Sequence, residues 1–170
     1  MVPVPDSGNA AAIGFSQLTK IPFDLGLIRN HYVGRTFIEP AQKIRSLGVK
    51  LKLNANKTTI KNKIIVLVDD SLVRGTTSHK IVKMLYDAGA KEVHVRIACP
   101  EIKYPDFYGV DMPTKEELLA NVKSNQEMCE YIQAKSLKFL SLKGLYLALI
   151  GEDRNLNYPQ FSDHYFTGNY

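Results

Sequence analysis

Two adjacent carboxylates, Asp69 and Asp70, followed by small and hydroxylated residues, are the side chains in this sequence best suited to chemistry. Each ionised carboxylate oxygen accepts hydrogen bonds, so a pair of acids suits the vicinal hydroxyls of a sugar. The stretch Ser71–Ser78 contains Gly75, which lets a ligand approach the backbone closely, and it leads into a predicted helix. Because a helix N-terminus carries free N–H groups and the positive end of the helix dipole, the pattern favours a phosphate next to the sugar.

Taken alone, these residues leave two interpretations open. An ordinary strand-to-helix turn, with acids at the strand end and a Ser/Thr cap, fits them as well as a phosphate site does, since Asp, Ser and Gly are common in turns. Two other phosphate motifs are excluded. The sequence has no GxxxxGK[ST] P-loop, and Gly75 stands alone, which excludes the glycine-rich dinucleotide fingerprint.

The elements on either side of this stretch predict a parallel α/β sheet. Ile64–Val68 is a run of five apolar residues, the pattern of a strand buried on both faces. His79–Ala88 places its apolar residues on one helical face, with Gly89 at the expected C-cap. Glu92–Ala98 alternates apolar and polar residues, as a half-buried strand does. Ligands of such sheets bind at the carboxyl ends of the strands, where the two acids lie.

Further elements are predicted along the rest of the chain. We expect a first strand at VPVP, an N-cap at Asp6 and Ser7 for a helix over residues 8–19, a strand at Ile21–Phe23, a loop or hairpin over residues 26–38, a helix at Glu39–Leu47 and turns over residues 54–63. Thr114–Glu117 and Ser124–Glu127 each fit a capping box and predict two short helices. A strand at Leu137–Leu140, a helix at Lys143–Ile150 and a polar, aromatic tail over residues 152–170 follow.

The composition indicates one soluble α/β domain. The chain has 170 residues, 45% of them hydrophobic, and a net charge of +5. The basic residues are spread along the chain, so we expect an anionic small molecule as ligand and no nucleic acid. Cys99 and Cys129 form no metal-ligand pattern and are expected to be free thiols. No signal peptide or run long enough to span a bilayer is present, which predicts a cytoplasmic protein.

The segment Val66–Ser78, VLVDDSLVRGTTS, resembles the 5-phosphoribosyl-1-pyrophosphate (PRPP) signature of type I phosphoribosyltransferases. That resemblance implies their fold, a twisted parallel sheet flanked by helices, here with a small C-terminal helical region. It also implies that the two acids contact the ribose hydroxyls and that the loop after them holds the 5′-phosphate. The PRPP-binding residues implied in this segment are Asp69, Asp70, Ser71, Val73, Arg74, Gly75, Thr76, Thr77 and Ser78.

Four other segments resemble the amidophosphoribosyltransferase family, namely VPVPDSGNAAAIGF, NHYVGRTFI, VKLKLNAN and CPEIKYPDFYGVDMPT. The family catalyses the first step of purine biosynthesis, in which ammonia displaces pyrophosphate from PRPP to give 5-phosphoribosylamine. The resemblance implies Mg²⁺ at Ser7, Asp69 and Asp70, and a flexible loop that closes over PRPP. From that loop and the segment after it, it implies catalytic roles for Arg35, Tyr32 and Lys52 and PRPP binding by Arg29 and Thr36. A solvated basic loop is the alternative for these residues.

Two departures from the family change the expected chemistry. The sequence has no early cysteine for a glutaminase domain, so we expect ammonia to come from solution or from a separate glutaminase chain. The positions of the iron–sulfur ligands of some members read Asp106, Tyr158, Phe161 and Tyr165, so we expect no cluster. The expected partners are PRPP, purine nucleotides, and a glutaminase chain or a homo-oligomer, without a membrane. A non-catalytic PRPP-binding regulator and an inactive fragment of a split enzyme are the alternatives.

Overall fold

The computed structural model describes residues 1–30, 53–109 and 114–170. Its strands are β1 (Val2–Pro3), β2 (Leu27–Arg29), β3 (Leu53–Ala55), β4 (Ile64–Asp69), β5 (Glu92–Ile97) and β6 (Ser136–Phe139). Its α-helices are α1 (Asn9–Thr19), α2 (Lys57–Ile60), α3 (Thr76–Asp87), α4 (Leu119–Val122), α5 (Asn125–Tyr131), α6 (Leu142–Ile150) and α7 (His164–Thr167). The main sheet has four parallel strands in the order β1-β4-β5-β6, which confirms the predicted fold class.

Strand β4 lies between β1 and β5 and is covered on both faces. Leu67 belongs to the larger core cluster, which contains the buried residues of α3, whereas Val68 packs with Ala12 of α1 on the other face. Both side chains are at most 2% exposed. The prediction of a strand buried on both faces is therefore confirmed, although Ile64, at the start of the strand, is exposed.

The β4–α3–β5 unit follows the predicted pattern with one shift. Val93, Val95 and Ile97 of β5 are buried, and the polar residues between them are partly exposed. Helix α3 begins at Thr76, three residues before the predicted start, because Gly75 adopts the left-handed backbone conformation that opens it. At the other end Gly89 has φ 94° and follows the last turn, as predicted.

The first helix begins differently from the prediction. The N-cap of α1 is Gly8, and no side chain caps the helix, so the predicted cap at Asp6 and Ser7 is wrong. The physical reason is that the Asp6 carboxylate is engaged elsewhere, by the guanidinium of Arg29 at 2.5 Å. The N–H of Gly8 donates to the Val4 carbonyl at 2.9 Å, which fixes the start of α1 against the loop after β1.

The predicted strand at Ile21–Phe23 is also wrong. These residues are exposed and irregular, and the strand comes later, at β2, which pairs antiparallel with β3. Residues 54–63 are not only turns, because they include part of β3 and the helix α2. The Asn56 side chain caps α2 by accepting from the N–H groups of Thr58 and Thr59. The predicted helix at Glu39–Leu47 lies outside the described residues.

The C-terminal part contains one confirmed capping box and one that is absent. Ser124 and Glu127 make both reciprocal hydrogen bonds at the start of α5. Thr114 makes no cap, and only a short 3₁₀ helix, Lys115–Glu117, follows it, so that prediction is wrong. At α6 the Ser141 hydroxyl accepts from the Gly144 N–H at 3.0 Å, which places the helix start one residue before the predicted one.

A buried carboxylate holds the C-terminal tail to the domain. Asp163 is 4% exposed and accepts hydrogen bonds from Tyr146 of α6 at 2.8 Å and from Arg154 at 2.5 Å. Burial by itself raises the pKa of Asp163, but the hydrogen bonds from Arg154, Tyr146 and Thr167 outweigh it, so the pKa lies below its ordinary value. These hydrogen bonds tie the tail to α6, and the tail also contains the short helix α7. Among the described residues, no helix is long and apolar enough to cross a membrane.

The two capping-box candidates give a matched test of the fold. Replacing Ser124 with Ala removes a cap present in the structure and is expected to lower the free energy of unfolding by about 1 kcal/mol. Replacing Thr114 with Ala removes no cap and should leave it within about 0.5 kcal/mol of wild type. Urea denaturation followed by circular dichroism measures both. Equal losses in the two variants would contradict the assignment.

Candidate functional site

The two acids end β4 at the carboxyl edge of the sheet. Asp69 is 8% exposed, and its Oδ1 accepts the backbone N–H of Asp70 at 2.9 Å. The Asp70 side chain, which is exposed, accepts the N–H of Ser71 at 2.8 Å. The Asp69 carbonyl accepts the N–H of Ala98 at 2.9 Å, which ties this edge to the end of β5. Both carboxylates are thereby oriented by the backbone that follows them.

The electrostatics of Asp69 are unfavourable in the ligand-free chain. Burial, followed by the neighbouring Asp70, raises the pKa of Asp69 well above its ordinary value. In the part of the chain that the structure describes, Asp69 forms no ion pair. A cation or several hydroxyl donors at this position would stabilise the ionised pair. Two carboxylates held side by side therefore fit a sugar diol, a divalent cation, or both.

The donor set suits Mg²⁺ held jointly with a ligand. Within residues 1–30, 53–109 and 114–170, no group of three or more His, Cys, Asp or Glu side chains could hold a metal ion. Mg²⁺ usually keeps several waters and binds through one or two carboxylates plus the phosphates of a substrate. The residues present therefore fit an ion that arrives with a phosphorylated ligand rather than one held in a protein cage.

The loop between the acids and α3 is fixed from one side. Gly75 has φ 73°, and a Cβ there would lie 2.6 Å from Leu119 Cδ2 and 3.0 Å from Tyr131 Cε1. The N–H of Leu119 donates to the Val73 carbonyl at 2.9 Å, and Leu72 is 2% exposed. Glycine is thus required at position 75 both for the backbone conformation and for the close approach of α4 and α5.

The N-terminus of α3 has no side-chain cap. Its first backbone N–H groups therefore have no partner within the helix. Thr77 is exposed and Thr76 is partly exposed, whereas Ser78 is 6% exposed and lies in the buried part of the first turn. The arrangement of uncapped N–H groups with threonine hydroxyls fits an anion such as phosphate.

Arg74 is held in a bidentate ion pair. Its Nε and Nη2 donate to the two carboxylate oxygens of Glu117 at 3.1 and 3.3 Å. Glu117 lies in the 3₁₀ helix directly before α4. The pair therefore joins the loop between β4 and α3 to the segment whose helices α4 and α5 approach Gly75. A contact between Arg74 and a ligand, as the sequence predicts, stays a prediction.

The loop after β1 lies beside the two acids. The Val4 N–H donates to the Val68 carbonyl at 2.8 Å, and the Gly8 N–H returns to Val4. A Cβ at Gly8 would collide with the carbonyl oxygen of Val68, so glycine permits this close approach. The Pro5–Asp6 peptide bond is cis. Ser7 is exposed in this loop, at the same sheet edge as Asp69.

Sequence reasoning missed Cys99 as a neighbour of the site. This thiol follows β5, packs against the main core, and donates to the Pro100 carbonyl at 3.2 Å. Burial, followed by the charge of Asp70, raises its pKa to about 12. A thiol with that pKa is protonated at neutral pH, so Cys99 is a packing residue and not a nucleophile. In the sequence, the one signal that could have placed Cys99 near the site was its position directly after the alternating strand.

Several predicted residues are not placed by the structure or are placed elsewhere. Tyr32, Arg35, Thr36 and Lys52 lie outside the described residues. Four positions correspond to the iron–sulfur ligands of some family members. There, Asp106 Oδ1 is hydrogen-bonded to His164 Nε2 at 2.7 Å, Phe161 packs against Tyr146, and Tyr158 is 82% exposed. None of these side chains, nor Tyr165, offers a thiolate, so they do not fit an iron–sulfur cluster.

Known proteins resemble this chain over its whole length. An amidophosphoribosyltransferase of Rhizobium etli is 61% identical over 171 residues, which cover 100% of the chain and 34% of that protein. A chloroplastic amidophosphoribosyltransferase of Glycine max is 54% identical and covers 97% of the chain, which matches 29% of that protein. No protein-family profile matches the chain.

A solved structure agrees with these relatives. It is glutamine PRPP amidotransferase from B. subtilis complexed with ADP and GMP, with a TM-score of 0.85 and 48% identity, covering 99% of this chain and 37% of that one. The chain spans about a third of the length of the curated relatives that it matches. Sequence identity over the full chain and likeness of fold together show that it belongs to the amidophosphoribosyltransferase family.

Proposed function

We propose that this chain binds PRPP with Mg²⁺ and transfers its 5-phosphoribosyl group to ammonia, giving 5-phosphoribosylamine and pyrophosphate. The observation that carries the proposal is the junction of β4 and α3. There Asp69 and Asp70 end a buried strand, and Gly75 opens a helix whose N-terminus has no side-chain cap. A ligand that carries both a diol and a phosphate can bind the two carboxylates and the N-terminus of α3 at the same time.

Each part of PRPP has a partner in this arrangement. The carboxylates of Asp69 and Asp70 accept hydrogen bonds from the ribose 2- and 3-hydroxyls. The 5′-phosphate binds the N–H groups at the start of α3 with the hydroxyls of Thr76 and Thr77. Ser7 and the two acids are the residues that would hold Mg²⁺ with the pyrophosphate. When bound, the ion neutralises charge on the leaving group.

The transfer itself requires little proton chemistry. The bond from C1 to the pyrophosphate oxygen breaks, its electron pair leaves with pyrophosphate, and the nitrogen of ammonia forms the new bond to C1. The ammonium group formed at C1 then releases one proton to solvent and becomes the amine. Ammonia is already a nucleophile, so the protein has to stabilise charge in the transition state rather than supply a strong base. We propose that Arg35 and Tyr32 do this from the loop that is predicted to close over PRPP, and Lys52 from the segment after it, with Thr36 as a further contact.

Purine nucleotides are proposed as second ligands of the same site. The B. subtilis neighbour was solved with ADP and GMP. Those ligands also contain a ribose and a 5′-phosphate, so the contacts proposed at Asp69, Asp70 and the α3 N-terminus apply to them. Assembly with a glutaminase chain or with further copies of this chain remains a prediction. So does a cytoplasmic location, and the Glycine max relative is named chloroplastic.

Binding is tested by isothermal titration of PRPP with Mg²⁺ into the full chain. Wild type should bind, and Asp69→Asn and Asp70→Asn should each weaken binding by about tenfold to a hundredfold, the value of a hydrogen bond to a charged group. Asp87→Asn, at the far end of α3, is the matched control and should bind like wild type. No binding by wild type, or no loss in the first two variants, would reject the proposed site.

The burial of Asp69 also predicts an effect on stability. Its folded-state pKa is raised above the unfolded value of 3.8, so the folded chain holds this proton more tightly than the unfolded chain does. The favourable contribution is present below the unfolded pKa and is lost as pH rises through the folded pKa. Asp69→Asn should therefore unfold at a higher temperature than wild type at mildly alkaline pH, with the difference shrinking as the solution is acidified. Thermal unfolding across that range measures it, and a pH-independent difference would contradict the stated cause.

Turnover separates an enzyme from a binding protein on the same fold. With PRPP and Mg²⁺ present, pyrophosphate release should depend on added ammonium and rise with pH as ammonium loses its proton. A coupled pyrophosphate assay follows the rate. Normal PRPP binding without ammonium-dependent release would favour the regulator or the inactive fragment over the proposed activity.

A further inference from the structure

Strand β2 brings a cation to the carboxyl edge of the sheet. The Asp24 N–H donates to the Met1 carbonyl at 2.9 Å, so the segment that leads into β2 begins beside the amino end of β1. Gly26 then passes the side chain of Val2 so closely that a Cβ would lie 2.7 Å from it. Three residues later Arg29 reaches Asp6, beyond the other end of β1. The segment thus runs alongside β1 and delivers Arg29 to the edge that holds Asp69.

Asp6 and Arg29 form a close ion pair at this edge. Arg29 Nη1 donates to Asp6 Oδ2 at 2.5 Å. The Arg29 side chain is 31% exposed and the Asp6 side chain is 51% exposed. Within the described residues this is the one hydrogen bond seen for the guanidinium. A guanidinium has five donors, so this one bond leaves others that could bind an anionic ligand.

The pair lies on one side of the two acids, and the proposed 5′-phosphate loop lies on the other. Asp6 follows β1, which borders β4 on one side. Gly75 contacts Leu119 and Tyr131, which belong to the segment between β5 and β6 on the opposite side. A ligand bound across Asp69 and Asp70 with its 5′-phosphate at Gly75 therefore extends its other end towards Asp6 and Arg29.

We propose that Asp6 is a positioning residue that holds Arg29 for the pyrophosphate of PRPP, so that the pair selects pyrophosphorylated ribose over ribose 5-phosphate. The proposal rests on the proposed function and extends it to Asp6, for which the sequence predicts only a helix cap. A flexible arginine must lose side-chain freedom when it binds an anion, and a partner that orients it beforehand reduces that loss. Ribose 5-phosphate carries no pyrophosphate at C1, so it should gain nothing from the pair.

The experiment measures two ligands in a double-mutant cycle with the full chain. Asp6→Ala should weaken PRPP binding by about threefold to tenfold, the range expected for ordering one arginine side chain. Arg29→Gln should weaken it at least as much, and the double variant should be no weaker than Arg29→Gln alone. None of the three should change the dissociation constant of ribose 5-phosphate. Asp153→Ala, which breaks the exposed Lys143–Asp153 pair, is the matched control and should bind both ligands like wild type.

Several results would overturn the proposal. Tighter PRPP binding in Asp6→Ala would show that Asp6 competes with the ligand for Arg29. Additive losses in the double variant would show that the two residues act independently, and an equal loss for ribose 5-phosphate would show a general structural defect. Failure of the proposed function looks different, because wild type itself would then not bind PRPP. Asp6→Glu keeps the carboxylate and should recover part of the selectivity.

Discussion

The arrangement depends on the burial of β4. This strand is paired on both edges and covered on both faces, so its carboxyl end has one possible position in the domain. The two acids that end it inherit that position. The ends of the neighbouring strands β1 and β5 bring the loop that contains Ser7 and the residue Cys99 to the same edge. The connection from β4 to α3 sets the direction of the N-terminus of α3.

The same burial creates an electrostatic conflict that the proposed ligand would relieve. Asp69 is desolvated next to Asp70 without a cation among the described residues, so the ligand-free domain carries an unfavourable pair. Folding energy from the surrounding apolar residues outweighs that penalty. Strain of this electrostatic kind is typical of functional sites, where a perturbed pKa accompanies a binding role. Cys99, a neighbour at the same edge, is different in character, because it is buried as a neutral thiol.

Glycines and loop contacts set the spacing around the acids. Gly8 allows the loop after β1 to touch the Val68 carbonyl, and Gly75 allows α4 and α5 to approach the loop between β4 and α3. Bidentate pairing of Arg74 with Glu117 adds a further constraint on one side, and the Asp6–Arg29 pair does so on the other. The two sides of the acid pair are therefore built from different contacts, which suits the asymmetric ligand proposed for it.

Local patterns in the sequence determined the central elements. The apolar run of β4, the alternation of β5 and the apolar face of α3 are all readable, because burial of a strand or helix imposes a fixed period on its residues. The acids and Gly75 could be assigned to the strand end and helix start for the same reason. The family resemblance then supplied the proposed ligand, which no periodicity contains. At Asp6 the prediction failed because a competing tertiary contact prevailed, and Asp6 binds Arg29 instead of capping α1. The predicted cap at Thr114 is also absent. Only the tertiary structure decided that Arg29 meets Asp6 and that Arg74 meets Glu117, because these pairs are 23 and 43 residues apart and depend on the path of the chain around the sheet.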